Sequence, residues 1–336
     1  MKSLTIKEFS KIINVSISTI SRAFNDRYDI HPDTKKMILD KAKELGYTPN
    51  PIAQQLIKHQ SRMIGVVVPE FLNAFFPKVI MGIQSVMEEA GYQVLIMSSN
   101  ESAQKELENV KALERNRIDG LIISLTKETR DISYFKYLQS RNVPIVQFNR
   151  VNHKLQTPKI LFDDYKWAFN ATEHLVEEGY KDIYHFSGPN NLILSHSRSK
   201  GYKDAMKKHG LSYEGKIIES GIFMEDGLRT AEVLLNKNIV PEAVFCFNDP
   251  VAIGAMEYFV DKGYKIPHNI SFVGFTESRI AMHMNPALTS VEQPSTEIGE
   301  TAGNMILHML KNNIVLDDRV IVLDGKLNVR SSSIKH

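Results

Sequence analysis

The segment TIKEFSKIINVSISTISRAFND at residues 5–26 sets the start of the fold, and its first half carries a complete helix signal. Thr5 and Glu8 have the spacing of a capping box, in which each side chain accepts a hydrogen bond from the other residue's amide. Phe9 and Ile13 then share one helical face. The pattern predicts a short amphipathic helix that begins after Thr5 and ends just after Ile13.

Two more helices are expected in the residues that follow. Ser16 is placed to cap a second helix over residues 17–25, and Pro32 suits the first turn of a third helix over residues 33–45, which Gly46 would end. The positions expected to face inward on the third helix are Met37, Leu39, Ala42 and Leu45. Two short helices joined by a tight turn and supported by a third are typical of a helix-turn-helix domain.

The residues alone leave two interpretations of these three helices. The start of the second helix and Arg22 could reach base edges in a major groove, or the helices could form a packing module without a partner. Residues 1–62 carry eleven Lys and Arg against six Asp and Glu, a net charge of +5, and the remainder carries −3 of the whole-chain total of +2. A basic first segment favours a polyanionic partner.

The next stretch, PNPIAQQLI at residues 49–57, indicates a helix that is too short to stand alone. Asn50 is a suitable cap and Pro51 a suitable first residue, but the segment offers only about two turns, which is marginal in water. Such a helix forms against a partner. Leu56 could then be an apolar wedge at a minor-groove step, and the alternative is an ordinary linker with a buried leucine.

Residues 4–70 closely resemble the start of the LacI/GalR family of bacterial transcription regulators. The similarity rests on V-S-x-S-T-x-S-R-x-x-N at residues 15–25 and on LGYTPN at residues 45–50. It implies that two heads bind a pseudo-palindromic, double-stranded DNA operator, with the second helix in the major groove and the linker folded into a hinge helix. The DNA-binding positions that the resemblance implies are Thr5, Ser16, Ile17, Ser18, Thr19, Ser21, Arg22, Asn25, Asn50, Ala53, Gln54 and Leu56.

Within that set, Ile17, Ser18 and Arg22 match the family's base-reading positions, and the hinge leucine of the family matches Leu56. Thr19, Ser21 and Asn25 match positions that hold the DNA backbone. Two departures bear on the operator. Ile17 and Ser18 together prevent the half-site from being copied from another member, and glutamines at 54–55 replace a frequent Arg-Ser pair, which removes one phosphate-binding charge.

The rest of the chain alternates short apolar runs with amphipathic stretches. About seven such units predict parallel sheets in two α/β subdomains rather than in one. The strand candidates are residues 64–68, 93–98, 120–124, 145–148, 182–186, 243–247 and 270–274. The family resemblance extends over this body, through NAFF at residues 73–76 and FND at residues 247–249. It implies two doubly wound parallel-sheet subdomains, similar to periplasmic sugar-binding proteins, that close on a small ligand.

Together these patterns give an expected domain organisation. The helix-turn-helix domain is residues 1–48, the hinge helix or linker is residues 49–61, and the effector-binding and dimerisation domain is residues 62–336. The resemblance implies crossovers near residues 161–164, 290–293 and 322–326. The N-subdomain would therefore span about 62–161 and 293–322, and the C-subdomain about 162–290 and 325–336.

A cleft between two such subdomains needs convergent polar groups and a flat apolar wall to bind a polar effector, expected to be a sugar or sugar derivative. The effector-binding residues that the resemblance implies are Phe75, Phe76, Arg198, Phe223, Asn248, Asp249, Thr276 and Glu277. The residues alone allow other roles: Phe76 in the core, Arg198 at the surface and Asp249 as a helix cap. Thr276-Glu277 replace the family's usual Asp, so either Glu277 accepts a ligand hydroxyl or the ligand lacks that contact.

Several other classes of protein are disfavoured. The single cysteine, Cys246, allows no internal disulfide, and no apolar run is long enough for a membrane span or a signal segment, so a cytoplasmic protein without a membrane partner is expected. No phosphate loop, zinc-protease motif or nucleophile elbow occurs, so no enzyme, cofactor or metal site is expected. The short tail after Arg330 favours a homodimer. The alternative to a regulator is a solute-binding protein without regulatory role.

Overall fold

The computed structural model describes residues 4–24, 30–48 and 61–335. The chain divides into two compact units, Met1–Arg62 and Met63–His336. Several expected DNA-binding positions lie outside the described residues, together with the expected hinge helix: they are Asn25, Asn50, Ala53, Gln54 and Leu56.

The first unit, which we call the head, contains α1 (Ile6–Ile13), α2 (Ile17–Phe24) and α3 (Pro32–Glu44). The expected capping box starts α1: the Thr5 amide donates to Glu8 Oε2 at 2.8 Å, and the Glu8 amide donates to Thr5 Oγ1 at 3.3 Å. Asn14 ends the helix in the left-handed region, with a φ of 53°. The sequence signals for this helix are therefore confirmed at both ends.

The head has a small apolar core. Phe9 stacks on Tyr47 with ring centroids 4.3 Å apart, and α3 contributes Ile38 and Ala42, which are buried. The expected inward face of α3 was right for Ala42 and wrong for three residues that are 37–40% exposed, namely Met37, Leu39 and Leu45. A helix turns by about 100° per residue, so the neighbours of Ile38 fall on the two flanks of the buried stripe.

The second unit, which we call the body, alternates strands and helices. Its strands are β1 (Met63–Val68), β2 (Gln93–Ser98), β3 (Gly120–Ile123), β4 (Ile145–Phe148), β5 (Lys159–Phe162), β6 (Ile183–Ser187), β7 (Ile217–Glu219), β8 (Ala243–Cys246), β9 (Ser271–Thr276), β10 (Thr289–Glu292), β11 (Val320–Leu323) and β12 (Lys326–Asn328). Its helices are α4 (Phe75–Glu89), α5 (Ala103–Arg115), α6 (Ser133–Ser140), α7 (Asp164–Glu177), α8 (Ile193–Lys208), α9 (Met224–Asn236), α10 (Asp249–Asp261), α11 (Arg279–His283) and α12 (Ser295–Asn312). In the described part of the chain, no helix is both long and apolar enough to cross a membrane.

The strands form two six-stranded sheets, each of which defines a lobe. The first lobe has the order β11-β5-β4-β3-β1-β2, and the second has the order β12-β10-β9-β8-β6-β7. All neighbours are parallel except β12, which runs antiparallel to β10. The chain passes between the lobes three times: after Phe162, after Glu292 and after Leu323. The expected fold class, a helical head and two doubly wound parallel sheets, is confirmed.

Each lobe contains a helix pair that packs backbone to backbone. In the first lobe α4 meets α12 at Gly299, where an added Cβ would overlap the carbonyl oxygen of Val79. In the second lobe α9 meets α10 at Gly254, where an added Cβ would overlap the carbonyl oxygen of Met224. Only glycine permits so close an approach, so these contacts fix how the two helices of each pair pack together.

Candidate DNA-reading helix and ligand cleft

The second helix of the head presents two different faces. Ile20 and Ala23 are buried in the three-helix core. On the other side Ile17 is 41% exposed, and Ser18 and Arg22 are exposed as well. An aliphatic group, a hydroxyl and a guanidinium can contact a thymine methyl, a base edge and a guanine. The three expected base-reading residues thus share one accessible face.

Hydroxyl groups gather at the start of α2. Ser16 Oγ accepts a hydrogen bond from the Thr19 amide at 3.1 Å and lies 2.9 Å from Ser18 Oγ. A helix N-terminus with hydroxyl groups favours anions such as phosphate. Thr5 differs, because its hydroxyl is engaged in the capping box of α1, and Ser21 is half-buried on α2.

Two adjoining cavities lie between the lobes of the body. The central cavity has a volume of about 550 Å³ and is lined by the carboxyl ends of β1, β4, β8 and β9. The side cavity has a volume of about 620 Å³ and is lined by segments after β3, β4, β5 and β6. The two share Asn149, Arg150 and Leu194. The carboxyl ends of parallel strands are where open α/β folds bind ligands.

The expected effector residues divide into two groups. Asp249 and Glu277 lie outside the described residues that line the central cavity. The expected residues that do line it are Phe75, Phe76, Arg198, Phe223, Asn248 and Thr276. Phe76 also packs in the core of the first lobe, so its ring serves both the core and the cavity wall.

Arg198 on α8 is buried, and its guanidinium contacts a carboxylate, a backbone carbonyl and two aromatic rings. Its Nε and Nη2 donate to Asp164 Oδ1 at 2.8 and 2.7 Å, and its Nη1 donates to the carbonyl oxygen of Phe247. The guanidinium lies 4.5 Å from the ring centroid of Phe247 and 3.7 Å from that of Phe275. Burial raises the pKa of Asp164, and Arg198 opposes the rise. Three of the five guanidinium N–H groups are used, which leaves two for a ligand.

Asn248 and Asp249 follow β8, and their side chains form different hydrogen bonds. Asn248 caps α10 through its Oδ1, and its Nδ2 donates to the carbonyl oxygen of Ile222 at 2.8 Å. Asp249 accepts hydrogen bonds from the Ser278 amide at 2.5 Å and from Ser290 Oγ at 2.6 Å. Burial raises the pKa of Asp249, and those hydrogen bonds oppose the rise. The cap is therefore Asn248, and Asp249 ties the loop after β9 to β10.

The segment at Thr276-Glu277 is strained. Both residues have positive φ angles, 121° and 63°, which cost non-glycine residues about 1–3 kcal/mol each. The Glu277 carboxylate pairs with Arg330, and the Glu277 carbonyl oxygen accepts a hydrogen bond from Lys78 Nζ at 2.9 Å. Lys78 belongs to α4 of the first lobe, so this contact joins the two lobes.

Two buried donors in the central cavity were missed by sequence reasoning. Arg150 has a side chain that is 9% exposed, and its Nη1 donates to Glu101 Oε1 at 2.7 Å. Within the described residues, Arg150 Nε and Gln293 Nε2 have no hydrogen-bond partner. Buried donors without partners are rare and call for an explanation. The available signal was position, since Arg150 comes two residues after the end of β4.

Buried carboxyl groups lie behind this wall of the first lobe. Glu106 is 2% exposed and accepts hydrogen bonds from the Thr126 amide at 2.8 Å and from Thr129 Oγ1 at 2.7 Å. Burial raises the pKa of Glu106 to about 7, and burial also raises the pKa of Glu70. This wall therefore contains a group that titrates near neutral pH.

A helix-turn-helix head followed by a two-lobed α/β body with a polar cleft defines the class of DNA-binding transcription regulators built on a sugar-binding fold. Sequence models of two families agree. "Bacterial regulatory proteins, lacI family" matches residues 5–50, and "Periplasmic binding proteins and sugar binding domain of LacI family" matches residues 61–322. The chain belongs to the LacI family of bacterial regulators, as its sequence motifs indicated.

Individual relatives match over nearly the whole chain. The chain is 28% identical to catabolite control protein A of Priestia megaterium, over 98% of this chain and 99% of that protein. It is 30% identical to the HTH-type transcriptional repressor CytR of Escherichia coli K12, over 98% and 96%. Among solved structures, a Lac repressor dimer bound to operator and the anti-inducer ONPF matches with a TM-score of 0.87 and 24% identity, over 99% and 100%.

Proposed function

We propose that this regulator is a homodimer that represses transcription from a pseudo-palindromic operator in the cytoplasm, and that a sugar or sugar derivative in the central cavity controls it. The protein acts by binding alone, and no catalysed reaction is involved. The observation that carries the proposal is the division of α2 into two faces. Because Ile20 and Ala23 face the core, Ile17, Ser18 and Arg22 are accessible together on the opposite side.

The ligand class follows from the donors in the central cavity. Arg198 retains two N–H groups, and Arg150 and Gln293 each retain a buried donor without a partner among the described residues. A molecule with several oxygen acceptors would satisfy them, and the rings of Phe75 and Phe223 supply apolar surface beside it. Since the Glu277 carboxylate is paired with Arg330, we expect the ligand to make no contact with Glu277.

The proposed switch combines the lobes and the hinge. Lys78 joins the lobes across the cleft, so a ligand that changes the lobe angle must compete with or strengthen this contact. In a dimer, such a rotation would change the spacing of the two hinge segments at residues 49–61. Ligand binding and DNA binding would then be coupled through the hinge, which would have two arrangements.

Exposed apolar side chains support the homodimer. Met81 on α4 is 65% exposed and Val260 on α10 is 50% exposed, and neither residue lines the central or the side cavity. We propose that a second copy of the chain covers these residues.

The first experiment selects bound duplexes from a random DNA pool and then measures binding of the selected site by gel shift. Arg22→Ala should weaken specific binding by about 1–3 kcal/mol and non-specific binding much less, because base-edge contacts carry the discrimination. Lys43→Ala is the matched control, since Lys43 is an exposed cation on α3. If Arg22→Ala lowered the affinity for specific and random DNA equally, Arg22 would contact only phosphates. Recovery of no preferred sequence would favour a solute-binding protein instead.

A second experiment addresses the hinge. Leu56→Ala should weaken operator binding strongly and leave ligand affinity nearly intact, because the proposed role of Leu56 is insertion at a minor-groove step. Gel shift and calorimetric titration measure the two affinities. Equal loss of both would contradict the hinge proposal.

A further inference from the structure

We propose that the side cavity binds an anionic group, a phosphate monoester or a carboxylate, carried by the effector whose polar body occupies the central cavity. This inference rests on the proposed ligand site and extends it by naming the charge of the ligand. The two cavities adjoin at Arg150, so one molecule can reach both. The argument rests on the charges, the helix terminus and the buried donor that meet in the side cavity.

Cations outnumber free carboxylates in the lining of the side cavity. Arg130, Arg150 and Lys154 line it, and within the described residues neither Arg130 nor Lys154 forms an ion pair. Of the two carboxylates in the lining, Asp164 is paired with Arg198, and Asp163 accepts a hydrogen bond from the Lys166 amide as the cap of α7. The charges left facing the cavity are therefore mainly positive.

Arg130 is held at the cavity by the backbone. Its Nη1 donates to the carbonyl oxygens of Lys127 and Thr129, both at 3.3 Å. The remaining N–H groups of the guanidinium are available for two oxygens of one anion, which is the geometry that carboxylate and phosphate offer.

The N-terminal end of α8 also lines the side cavity, through Ile193 and Leu194 of its first turn and Ser197 of its second. This helix extends over 16 residues, and the residue before it, Leu192, provides no side-chain cap. An uncapped N-terminus carries partial positive charge and amides that favour an anion.

The independent observation is Arg150. Its side chain is nine-tenths buried, it lines the cavity, and its Nε has no hydrogen-bond partner in the described part of the chain. Glu101 engages only one of its terminal nitrogens. A neutral ligand would leave the charges of Arg130 and Lys154 to water, whereas an anion would pair with them and with the remaining terminal N–H groups of Arg150.

The test uses the full chain without DNA and three salts at equal ionic strength: sodium phosphate, sodium acetate and sodium chloride. Thermal unfolding and calorimetric titration measure binding. Arg130→Gln/Lys154→Gln should weaken anion affinity by at least about ten-fold, because hydrogen bonds to charged groups are lost. The matched control is Arg141→Gln/Lys237→Gln, which removes the same two charges from exposed positions outside both cavities and should leave the affinity unchanged.

Each outcome decides the proposal. Phosphate binding that is lost only in the cavity variant supports a phosphate monoester, and acetate binding with the same dependence supports a carboxylate. Absence of anion binding in the parent chain, or equal binding by both variants, overturns the side-cavity proposal. Operator binding by the same proteins tests the proposed function separately: anion binding without operator binding rejects the regulator proposal and leaves the anion subsite standing.

Discussion

In the second lobe Arg198 has its charge balanced by Asp164 and lies against two aromatic rings. In the first lobe Arg150 has one carboxylate bond, lies 5.8 Å from the ring centroid of Phe76, and has a buried Nε without a partner among the described residues. The guanidinium in the second lobe is therefore fixed in place by the chain itself, with two N–H groups left over, whereas the one in the first lobe has fewer partners. Under the proposed function, we expect the second lobe to fix ligand orientation and the first lobe to respond to ligand chemistry.

The largest effect on stability is expected from removing the carboxylate that pairs with Arg198. Asp164→Ala leaves a buried guanidinium without its counter-charge and should lower the free energy of unfolding by about 3–5 kcal/mol. Trp167 on α7, the single tryptophan of the chain, reports the unfolding of this lobe by fluorescence in a urea titration. Asp164→Ala/Arg198→Met should recover part of the loss. If the losses of unfolding free energy in the single variants Asp164→Ala and Arg198→Met add up to the loss in the double variant, the two residues are not coupled.

A smaller effect is expected from the titration of Glu106 behind the first-lobe wall. Burial raises its pKa to about 7, so between its unfolded pKa and about 7 the folded chain binds more protons than the unfolded chain. Stability should therefore fall as pH rises through that window, by up to about 3 kcal/mol. Glu106→Gln should flatten the profile and stabilise the chain at pH 8. The exposed Glu108→Gln is the control, and a Glu106→Gln profile parallel to the parent's would contradict the assignment.

The smallest effect is expected at the contact between the lobes. Lys78→Met removes the hydrogen bond to the Glu277 carbonyl oxygen and should shift the balance between closed and open lobes by about 1 kcal/mol. Small-angle X-ray scattering of the ligand-free protein should then show a larger mean dimension. Lys105→Met, at an exposed position of α5, should not change the scattering. An unchanged profile for Lys78→Met would mean that this bond does not hold the lobes.

The sequence predicted the apolar strands well and the short strands poorly. All seven strand candidates are confirmed within one or two residues. Six of them lie inside their sheets, where the strands of parallel sheets are continuous apolar runs, and β2 lies at an edge. The strands that were not named as candidates are Lys159–Phe162, Ile217–Glu219, Thr289–Glu292, Val320–Leu323 and Lys326–Asn328. Each has three or four residues, and most include a polar or charged residue, so neither run length nor alternation distinguishes them from loops.

The sequence placed a residue at the central cavity where that place follows from its position after a strand, as for Asn248. It was not predicted where the role depends on a distant partner. Glu277 meets Arg330 from a loop 53 residues away, and Asp249 at the start of α10 meets Ser290 on β10. One chain contains no signal for such pairs. The error on α3 has a local cause, since two large residues flank Ile38 and the apolar pattern fits more than one helical phase.

The third passage between the lobes has a consequence for biosynthesis. β11 forms an edge of the first sheet and β12 an edge of the second, and only Asp324 and Gly325 separate them. Neither sheet can acquire its last strand until this short segment has left the ribosome, although both interiors were translated long before. A nascent chain, or one cut before β11, would present two unprotected strand edges together, which is a recognised route to aggregation.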